Sequence, residues 1–371
     1  MRIGLNLLYL LPGEVGGTET YAAGLLDGLA AEAEGEEFLV FVNREAADWP
    51  LPEQCNCHRV ICKVSGSRRS QRYWFEQTVL PQMAFRAGVD VLHSLGYVGP
   101  LRLHCPSLVT VHDLNYRAFG SQMPWARRMT LEFFVKQSVR RAERVIADST
   151  FSASEILQAF DIPRERIVVI HLAAEPDRAM RGATAVGLPV ACGIEPPYIV
   201  AFSSRSPNKN IPRLIEAFAQ ARESRGLAHQ LVLVGHQFAD LEDVASECAD
   251  RSVRFTGYLP DEMLRAVLAN ADMLAFPSVY EGFGLPVLEA MTAGVPVVCS
   301  DRASLPEVAG EAAVFFDPYS VEDIAQKLAE VALNPTLRAE LTRKGYENVK
   351  RFSWERTARR TLQVYREVLG R

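Results

Sequence analysis

The sequence contains no apolar run of the roughly 18–20 residues that a helix needs to cross a bilayer. Its first segment, MRIGLNLLYLLPG, has only a short apolar stretch, and no clear small-residue cleavage site follows it. We therefore interpret this segment as a buried strand and not as a signal peptide. The cysteine count is seven, an odd number, which favours a reducing compartment over a disulfide framework. Together these absences predict a cytoplasmic protein.

Several motifs of cofactor and metal chemistry are also missing. No two aspartates stand two positions apart, so the D-x-D arrangement that holds a divalent ion is absent and we expect no bound metal. The cluster of Cys55, Cys57, His58 and Cys62 matches no standard zinc spacing. A full G-x-G-x-x-G fingerprint is lacking, which argues against a dinucleotide oxidoreductase. No cofactor is predicted.

The composition is that of a soluble protein with two domains. The chain has 371 residues, of which 48% are hydrophobic and 23% charged. A net charge of −5 argues against a nucleic-acid binder. Residues 51–150 nevertheless hold fourteen basic and seven acidic side chains, interleaved with aromatic residues such as Trp74 and Phe133. This block is either a set of solvated helix faces or a surface for anionic lipid or an anionic acceptor at the inner face of a membrane.

Apolar runs of strand length alternate with amphipathic helical segments along the whole chain. The runs are apolar at nearly every position, which predicts parallel sheets that are buried on both faces. We therefore expect an α/β fold of two doubly wound, Rossmann-like domains that face a cleft. The predicted domains are residues 1–185 and 186–352, joined by a linker within 174–197, and helix 353–371 is expected to return to the first domain.

The segment EGFGLPVLEAMTAGVPVV holds two glutamates, Glu281 and Glu289, eight positions apart. A strand is predicted to end just before Glu281, and a short helix is predicted from about Pro286. Two carboxylates in this pattern are compatible with an acid–base pair, a metal site or clamps on the hydroxyl groups of a sugar. Glu289 could also simply complement the helix dipole, but that reading leaves Glu281 and the glycines of the loop unexplained.

Other loops at predicted strand ends carry groups that suit phosphate. Arg205 and Lys209 precede a helix in the second half and could neutralise a diphosphate, although Lys209 could also be a surface residue. Gly16 and Gly17 precede the first helix. His112 lies at the end of another strand, where it is either a sugar ligand or a structural histidine. Ser152, in SASE, is predicted to cap the helix that follows it.

These motifs, in this order, resemble the retaining glycosyltransferases of family 4, which have the GT-B fold. The run SVYEGFGLPVLEAMTAGVPVVCSDRASLPEVAG resembles the E-x7-E region of that family, and SSRSPNKNIPRLIEAF, FTGYLPDEML, the double glycine and VHD fall in the family's order. The resemblance covers nearly the whole chain.

The resemblance implies that Glu281 binds hydroxyl groups of the donor sugar and that Glu289 binds the ribose of the nucleotide. The donor-binding run that it implies around Glu281 comprises Gly282, Phe283, Gly284 and Leu285. Tyr258 and Leu259 would flank the base.

The same resemblance implies that Arg205 and Lys209 stabilise the leaving diphosphate. It also implies that His112 touches the sugar and that its backbone carbonyl helps stabilise the oxocarbenium-like transition state. The backbone of Gly16 and Gly17 would close over the diphosphate. Asn208 stands directly before Lys209, where the family often carries an arginine, so Arg205 does not occupy the place of the family's second cation.

The sequence thus predicts a retaining, metal-independent hexosyltransferase of glycan or polysaccharide assembly. Its donor would be a GDP- or UDP-sugar, with mannose preferred as the hexose, and its acceptor a saccharide or a lipid-linked saccharide. A nucleotide-sugar epimerase, a phosphorylase of the same fold and a non-catalytic sugar-binding protein remain as alternatives. A glycosidase is less compatible with the cations that suit diphosphate.

Overall fold

The computed structural model describes residues 1–120, 123–174, 193–235, 238, 241, 243, 244 and 252–370. The chain divides into two units. Unit 1 comprises Met1–Ala173 and Ser353–Arg371, and unit 2 comprises Ala174–Phe352. The predicted boundary between residues 185 and 186, and most of the predicted linker, lie outside the described residues.

Unit 1 is built on a seven-stranded parallel sheet. Its strands are β1 (Arg2–Leu7), β2 (Glu37–Val42), β3 (Cys57–Ile61), β4 (Val91–Ser94), β5 (Ser107–Val111), β6 (Arg144–Ala147) and β7 (Ile167–Val169). They lie in the order β3-β2-β1-β4-β5-β6-β7. Ile3, for example, pairs with Phe38 on one side and with Val91 on the other. The inner strands are buried, as their apolar composition predicts, whereas edge strand β3 carries polar side chains that discourage further pairing.

The helices of unit 1 connect these strands. They are α1 (Gly17–Glu32), α2 (Arg69–Thr78), α3 (Leu80–Arg86), α4 (Asn115–Ala118), α5 (Trp125–Arg141) and α6 (Thr150–Phe160). Because consecutive strands are parallel, each connection must cross back over the sheet, and a helix does so with its backbone hydrogen bonds satisfied.

Unit 2 repeats the scheme with six parallel strands. These are β8 (Tyr198–Ser203), β9 (Gln230–Gly235), β10 (Val253–Gly257), β11 (Met273–Phe276), β12 (Val297–Ser300) and β13 (Ala313–Phe316), in the order β10-β9-β8-β11-β12-β13. Its helices are α7 (Ile211–Arg225), α8 (Asp261–Ala269), α9 (Leu285–Thr292), α10 (Leu305–Ala309), α11 (Val321–Ala332) and α12 (Pro335–Val349). A core of side chains from β8, β9, α7 and α11 fills one face of this sheet.

The last helix, α13 (Trp354–Val368), belongs to unit 1, where it packs against α1. Glycine makes the close approach possible, since a Cβ atom at Gly24 would overlap the indole of Trp354. Arg359 adds two bonds to the carboxylate of Glu32, at 2.8 and 2.7 Å. The chain therefore leaves unit 2 after Phe352 and returns to the unit in which it began.

Candidate functional site

In each sheet the strand order reverses between two neighbouring strands. The reversal lies between β1 and β4 in unit 1 and between β8 and β11 in unit 2. The loops after two such strands leave in opposite directions, so they open a crevice at the carboxyl ends of the strands, where open α/β sheets bind ligands. In unit 2 these loops are residues 204–210 and 277–284, which contain six of the ten site residues that were predicted in this unit.

Lys209 and Glu281 meet across this crevice of unit 2. The Nζ atom of Lys209 lies 2.5 Å from Oε1 of Glu281, and the two side chains are 23% and 15% exposed. Lys209 also lies 5.1 Å from the centroid of the Phe276 ring, at the end of β11. A carboxylate that accepts a charge-assisted bond from an ammonium group keeps further lone pairs for hydroxyl donors.

Asn208 holds the two loops together. Its side chain is buried and donates to the backbone carbonyl of Tyr280 at 2.8 Å. The backbone carbonyl of Asn208 accepts from the amide of Val279, also at 2.8 Å. This residue occupies the place where the resemblance suggested an arginine. It serves as a clamp that sets the spacing of Lys209 and Glu281, a role that sequence reasoning missed because it depends on contacts about 70 positions away.

Ser304, which is fully buried, supports the backbone of the Glu281 loop. Its hydroxyl lies 3.0 Å from the carbonyl of Glu281 and 2.7 Å from that of Phe283. Gly284 caps α9 with a φ of 105°, and a Cβ atom there would lie 2.7 Å from the Leu305 side chain. Only glycine fits this conformation and this space without strain. The loop is therefore preorganised, and Ser304 could not have been identified from its distant place in the sequence.

The other predicted donor-binding residues of unit 2 have different degrees of exposure. Glu289 lies one turn into α9 and is half-buried. Arg205 is exposed, with its guanidinium 4.6 Å from the centroid of the Phe238 ring. Tyr258 is 73% exposed and its neighbour Leu259 is buried, so the two residues predicted to flank the base point to different environments. Gly282, Phe283 and Leu285 are all buried.

In unit 1, His112 follows β5 and is almost fully buried. Its Nδ1 atom lies 2.7 Å from Oδ2 of Asp148, and its Nε2 atom lies 2.9 Å from the carbonyl oxygen of Leu95. Burial disfavours a charged imidazole, but the nearby Asp148 carboxylate outweighs it and raises the pKa of His112. Both nitrogens of the His112 ring are therefore already engaged within unit 1. The resemblance had implied that this side chain contacts a sugar.

The capping prediction at Ser152 is wrong. Helix α6 begins at Thr150, and it is Ser149 that caps it, accepting a bond from the amide of Ser152 at 3.0 Å. The Ser152 hydroxyl instead donates to the carbonyl of His112 at 2.9 Å. Ser149 and Ser152 both precede apolar residues at a spacing that suits a helix cap. The local sequence pattern therefore does not show which of the two serines caps α6.

The double glycine opens α1 as predicted. Gly16 precedes the helix with a φ of 54°, in the left-handed region, and a Cβ atom there would meet nothing within 4 Å. Glycine is thus required here for its backbone freedom and not for space. Both Gly16 and Gly17 are exposed, and the preceding loop is held by Glu19, which accepts from the amide of Gly13 at 2.8 Å.

Two further observations concern membranes and metals. None of the helices that the structure describes combines the length and the apolar character needed to pass through a bilayer. Among the same described residues, no group of three or more His, Cys, Asp and Glu side chains could hold a metal ion. Cys55 and Cys57 are joined by a disulfide, which differs from the reduced thiols that the odd cysteine count indicated. Their Cα atoms, 5.0 Å apart, are close enough for such a pair.

Two family models match the chain. The model described as glycosyltransferase family 4 matches residues 15–178, and the model described as glycosyl transferases group 1 matches residues 193–348. The chain is 33% identical over 284 residues to the O-antigen chain mannosyltransferase B of Escherichia coli, covering 74% of each protein. It is 31% identical over 309 residues to the MMP alpha-(1->4)-mannosyltransferase of Mycolicibacterium hassiacum, covering 77% of this chain and 72% of that protein.

Solved structures show the same fold. The sucrose-phosphate synthase of Thermosynechococcus elongatus superposes with a TM-score of 0.79 at 20% identity, covering 100% of this chain and 99% of that one. The Anabaena protein Alr3699/HepE, solved in complex with UDP-glucose, superposes with a TM-score of 0.71 at 18% identity, covering 98% and 99%. At such identities the likeness concerns the arrangement of secondary structure alone.

Proposed function

Since the chain belongs to glycosyltransferase family 4, with the GT-B fold, we propose that it is a retaining, metal-independent hexosyltransferase. It moves a hexose, with mannose preferred, from a nucleoside diphosphate to a hydroxyl group of a saccharide or a lipid-linked saccharide. The observation that carries this proposal is the pairing of Lys209 with Glu281 at the strand-order reversal of unit 2.

The pair supplies two groups that donor binding requires. The Lys209 ammonium offers three donors and a positive charge to a diphosphate, and the Glu281 carboxylate accepts from the hydroxyl groups of a sugar. A fixed cation stabilises the negative charge that develops on the leaving diphosphate. We propose a same-face displacement, in which the leaving phosphate takes the acceptor's proton and no carboxylate serves as a nucleophile. The bond from Lys209 to Glu281 fits a binding carboxylate better than a nucleophile.

The nature of the donor is proposed from two sources. The two relatives described above are named mannosyltransferases, which supports mannose as the hexose. The Anabaena structure was solved with UDP-glucose, which supports a nucleoside diphosphate as the carrier. Arg205 and Glu289 are proposed to bind the diphosphate and the ribose. The contacts of Gly16, Gly17, His112, Tyr258 and Leu259 with the donor stay predictions of the resemblance.

A transfer assay tests this function. We expect the full chain to release nucleoside diphosphate from GDP-mannose or UDP-glucose only when a saccharide acceptor is present, and to keep its activity in EDTA. A thermal-shift screen of UDP, GDP, ADP and their sugars would first identify the nucleotide. Lys209→Ala should lower kcat by on the order of a hundredfold or more, whereas Lys344→Ala, which removes a surface lysine of the same unit, should not.

Two outcomes would contradict the proposal. Near-normal turnover in Lys209→Ala would remove this residue from the site. Loss of activity in EDTA that is restored by Mg²⁺ would contradict metal independence.

We also propose that unit 1 contacts an anionic membrane surface at the cytoplasmic face, which would bring it to a lipid-linked acceptor. Helices α2 and α5 contact each other through Tyr73 and Phe134, whose ring centroids lie 4.8 Å apart. Burial, and after it the positive charge of Arg69 on α2, lowers the pKa of Arg127 on α5. Trp74 and Trp125 are 63% and 76% exposed on the same helices. Basic side chains beside exposed aromatic rings suit the interface of an anionic bilayer.

Sedimentation with vesicles tests the membrane contact. The full chain should bind vesicles that contain phosphatidylglycerol, and binding should weaken in high salt. Trp125→Ala should bind more weakly, while Trp49→Phe, a change at a buried tryptophan, should bind as the wild type does. Equal binding to vesicles of phosphatidylcholine alone would refute an electrostatic contact.

A further inference from the structure

The imidazole of His112 is held between two groups that can only accept hydrogen bonds. Asp148 Oδ2 lies 2.7 Å from Nδ1, and the carbonyl oxygen of Leu95 lies 2.9 Å from Nε2. A neutral imidazole carries one N–H group, so it would turn a bare nitrogen lone pair toward one of these oxygens. With Asp148 ionised, both contacts are hydrogen bonds only if both ring nitrogens carry protons.

We infer that Asp148 is a positioning residue, which holds His112 as a doubly protonated imidazolium and thereby fixes the backbone at the end of β5. This inference rests on the proposed function, because the backbone role of His112 in the transfer reaction comes from the family resemblance, and the inference adds how Asp148 supports it. The ring is an anchor within unit 1, and its N–H groups are not the ones that touch a sugar.

The surroundings of the ring agree with a cation. Asp148 faces it from the end of β6, and Asp113, on its own segment, favours the charged form as well. The rings of Tyr21 and Tyr97 stand edge to face with it, at centroid distances of 4.9 and 5.6 Å. His93, on β4, is kept neutral by burial, which lowers its pKa to about 3, and by the nearby charge of His112.

Residues 148–152 bind two groups of His112, its ring and its backbone carbonyl. Asp148 binds the ring, and the Ser152 hydroxyl binds the carbonyl oxygen at 2.9 Å. Ser149, between them, caps α6 and so fixes the segment on a helix. The carbonyl oxygen keeps a second lone pair. A carbonyl oxygen held this rigidly can stabilise positive charge that develops on a sugar ring, without reorganisation during the reaction.

Nuclear magnetic resonance of the full chain labelled with ¹⁵N-histidine tests the charge of His112 without any assay of activity. We expect two protonated ring nitrogens for His112 at pH 8, identified by their loss in His112→Gln. His93 serves as an internal control, because it should be neutral at the same pH. In Asp148→Asn, which keeps the shape of the side chain but loses its charge, one of the two His112 protons should be lost at pH 8. Asp301→Asn, an exposed site in unit 2, should change nothing.

Kinetics then separate positioning from folding. Asp148→Asn should lower kcat by on the order of tenfold to a hundredfold, with little change in KM for the nucleotide sugar, since the donor is proposed to bind on unit 2. Ser152→Ala should lower kcat while both ring protons of His112 remain.

A singly protonated His112 in the wild type, or two protons retained in Asp148→Asn, would overturn the inference. Loss of the proton with unchanged kcat would also overturn it, since Asp148 would then serve the fold alone. Failure of the proposed function is distinguishable, because it would abolish transfer in the wild type and leave the resonance result intact.

Discussion

Replacing Glu281 by Gln should make the protein bind a free nucleoside diphosphate more tightly, although it should abolish most of the transfer reaction. In the structure the Lys209 ammonium is engaged by Glu281 at 2.5 Å, with both side chains largely shielded from water. A diphosphate that recruits Lys209 must weaken this bond and must also approach the negative charge of Glu281. The glutamine variant keeps the shape of the side chain and removes that charge.

The size of the effect follows from the type of bond that is exchanged. Lys209 keeps its charge in the variant, so its bond to the glutamine oxygen is still charge-assisted, and the substitution removes only the attraction between two opposite charges. For an ion pair that water still reaches, that attraction contributes about 1 kcal/mol, which corresponds to roughly fivefold tighter binding of the diphosphate to Glu281→Gln. The intact nucleotide sugar should not share the gain, because glutamine is a weaker acceptor for its hydroxyl groups.

Isothermal titration calorimetry with GDP and UDP, and with their hexose derivatives, would measure both affinities. The informative quantity is the ratio of sugar-nucleotide affinity to nucleotide affinity, which should fall in Glu281→Gln. Glu322→Gln is the matched control, because it removes the same charge from unit 2 at an exposed ion pair with Arg225. Unchanged or weaker diphosphate binding in Glu281→Gln would refute the idea that Lys209 must exchange partners.

Three further predictions concern other parts of the chain. Glu289→Ala should weaken nucleotide-sugar binding by about 1–3 kcal/mol through the ribose, and an unchanged affinity in calorimetry would exclude that role. Gly24→Ala should destabilise unit 1 by about 1–3 kcal/mol in urea denaturation, because the new methyl group would overlap Trp354; a more stable variant would show that helix propensity prevails. Burial raises the pKa of Glu76 from 4.5 to about 7, so the folded state keeps a proton that the unfolded chain loses, and stability should fall as pH rises from 4.5 to 7. Glu76→Gln should flatten this dependence and add on the order of 3 kcal/mol at pH 8; an unchanged slope would contradict it.

Much of the fold could be predicted from the sequence because its signals are local. The apolar runs at β1, β8 and β11 are strands in parallel sheets, and Gly16 and Gly284 stand where a helix begins after a backbone turn that only glycine adopts easily. The strand ends were predicted well enough to place Lys209 and Glu281 in loops at the carboxyl ends of β8 and β11.

The partners of those loop residues could not be predicted. Nothing in the chain near Asn208 indicates that its side chain binds the backbone at Tyr280, and nothing near Ser304 indicates that it supports the Glu281 loop. The sequence predicted His112 as a site residue, but it did not predict which residues surround it. Asp148 lies 36 positions away, and it reaches the ring only because β5 and β6 are neighbours in the sheet.

The sequence by itself determined the alternation of strands and helices, the burial of the strands on both faces and the family to which the chain belongs, since these depend on the period of apolar residues and on short motifs. The tertiary structure alone decided which loops stand side by side, that Lys209 is paired with Glu281, and that the last helix packs through Trp354 on Gly24 of α1. The physical reason is that a parallel strand can join a sheet on either side with similar local geometry. The choice is made by the packing of the whole sheet, and it is the choice that brings distant side chains into contact.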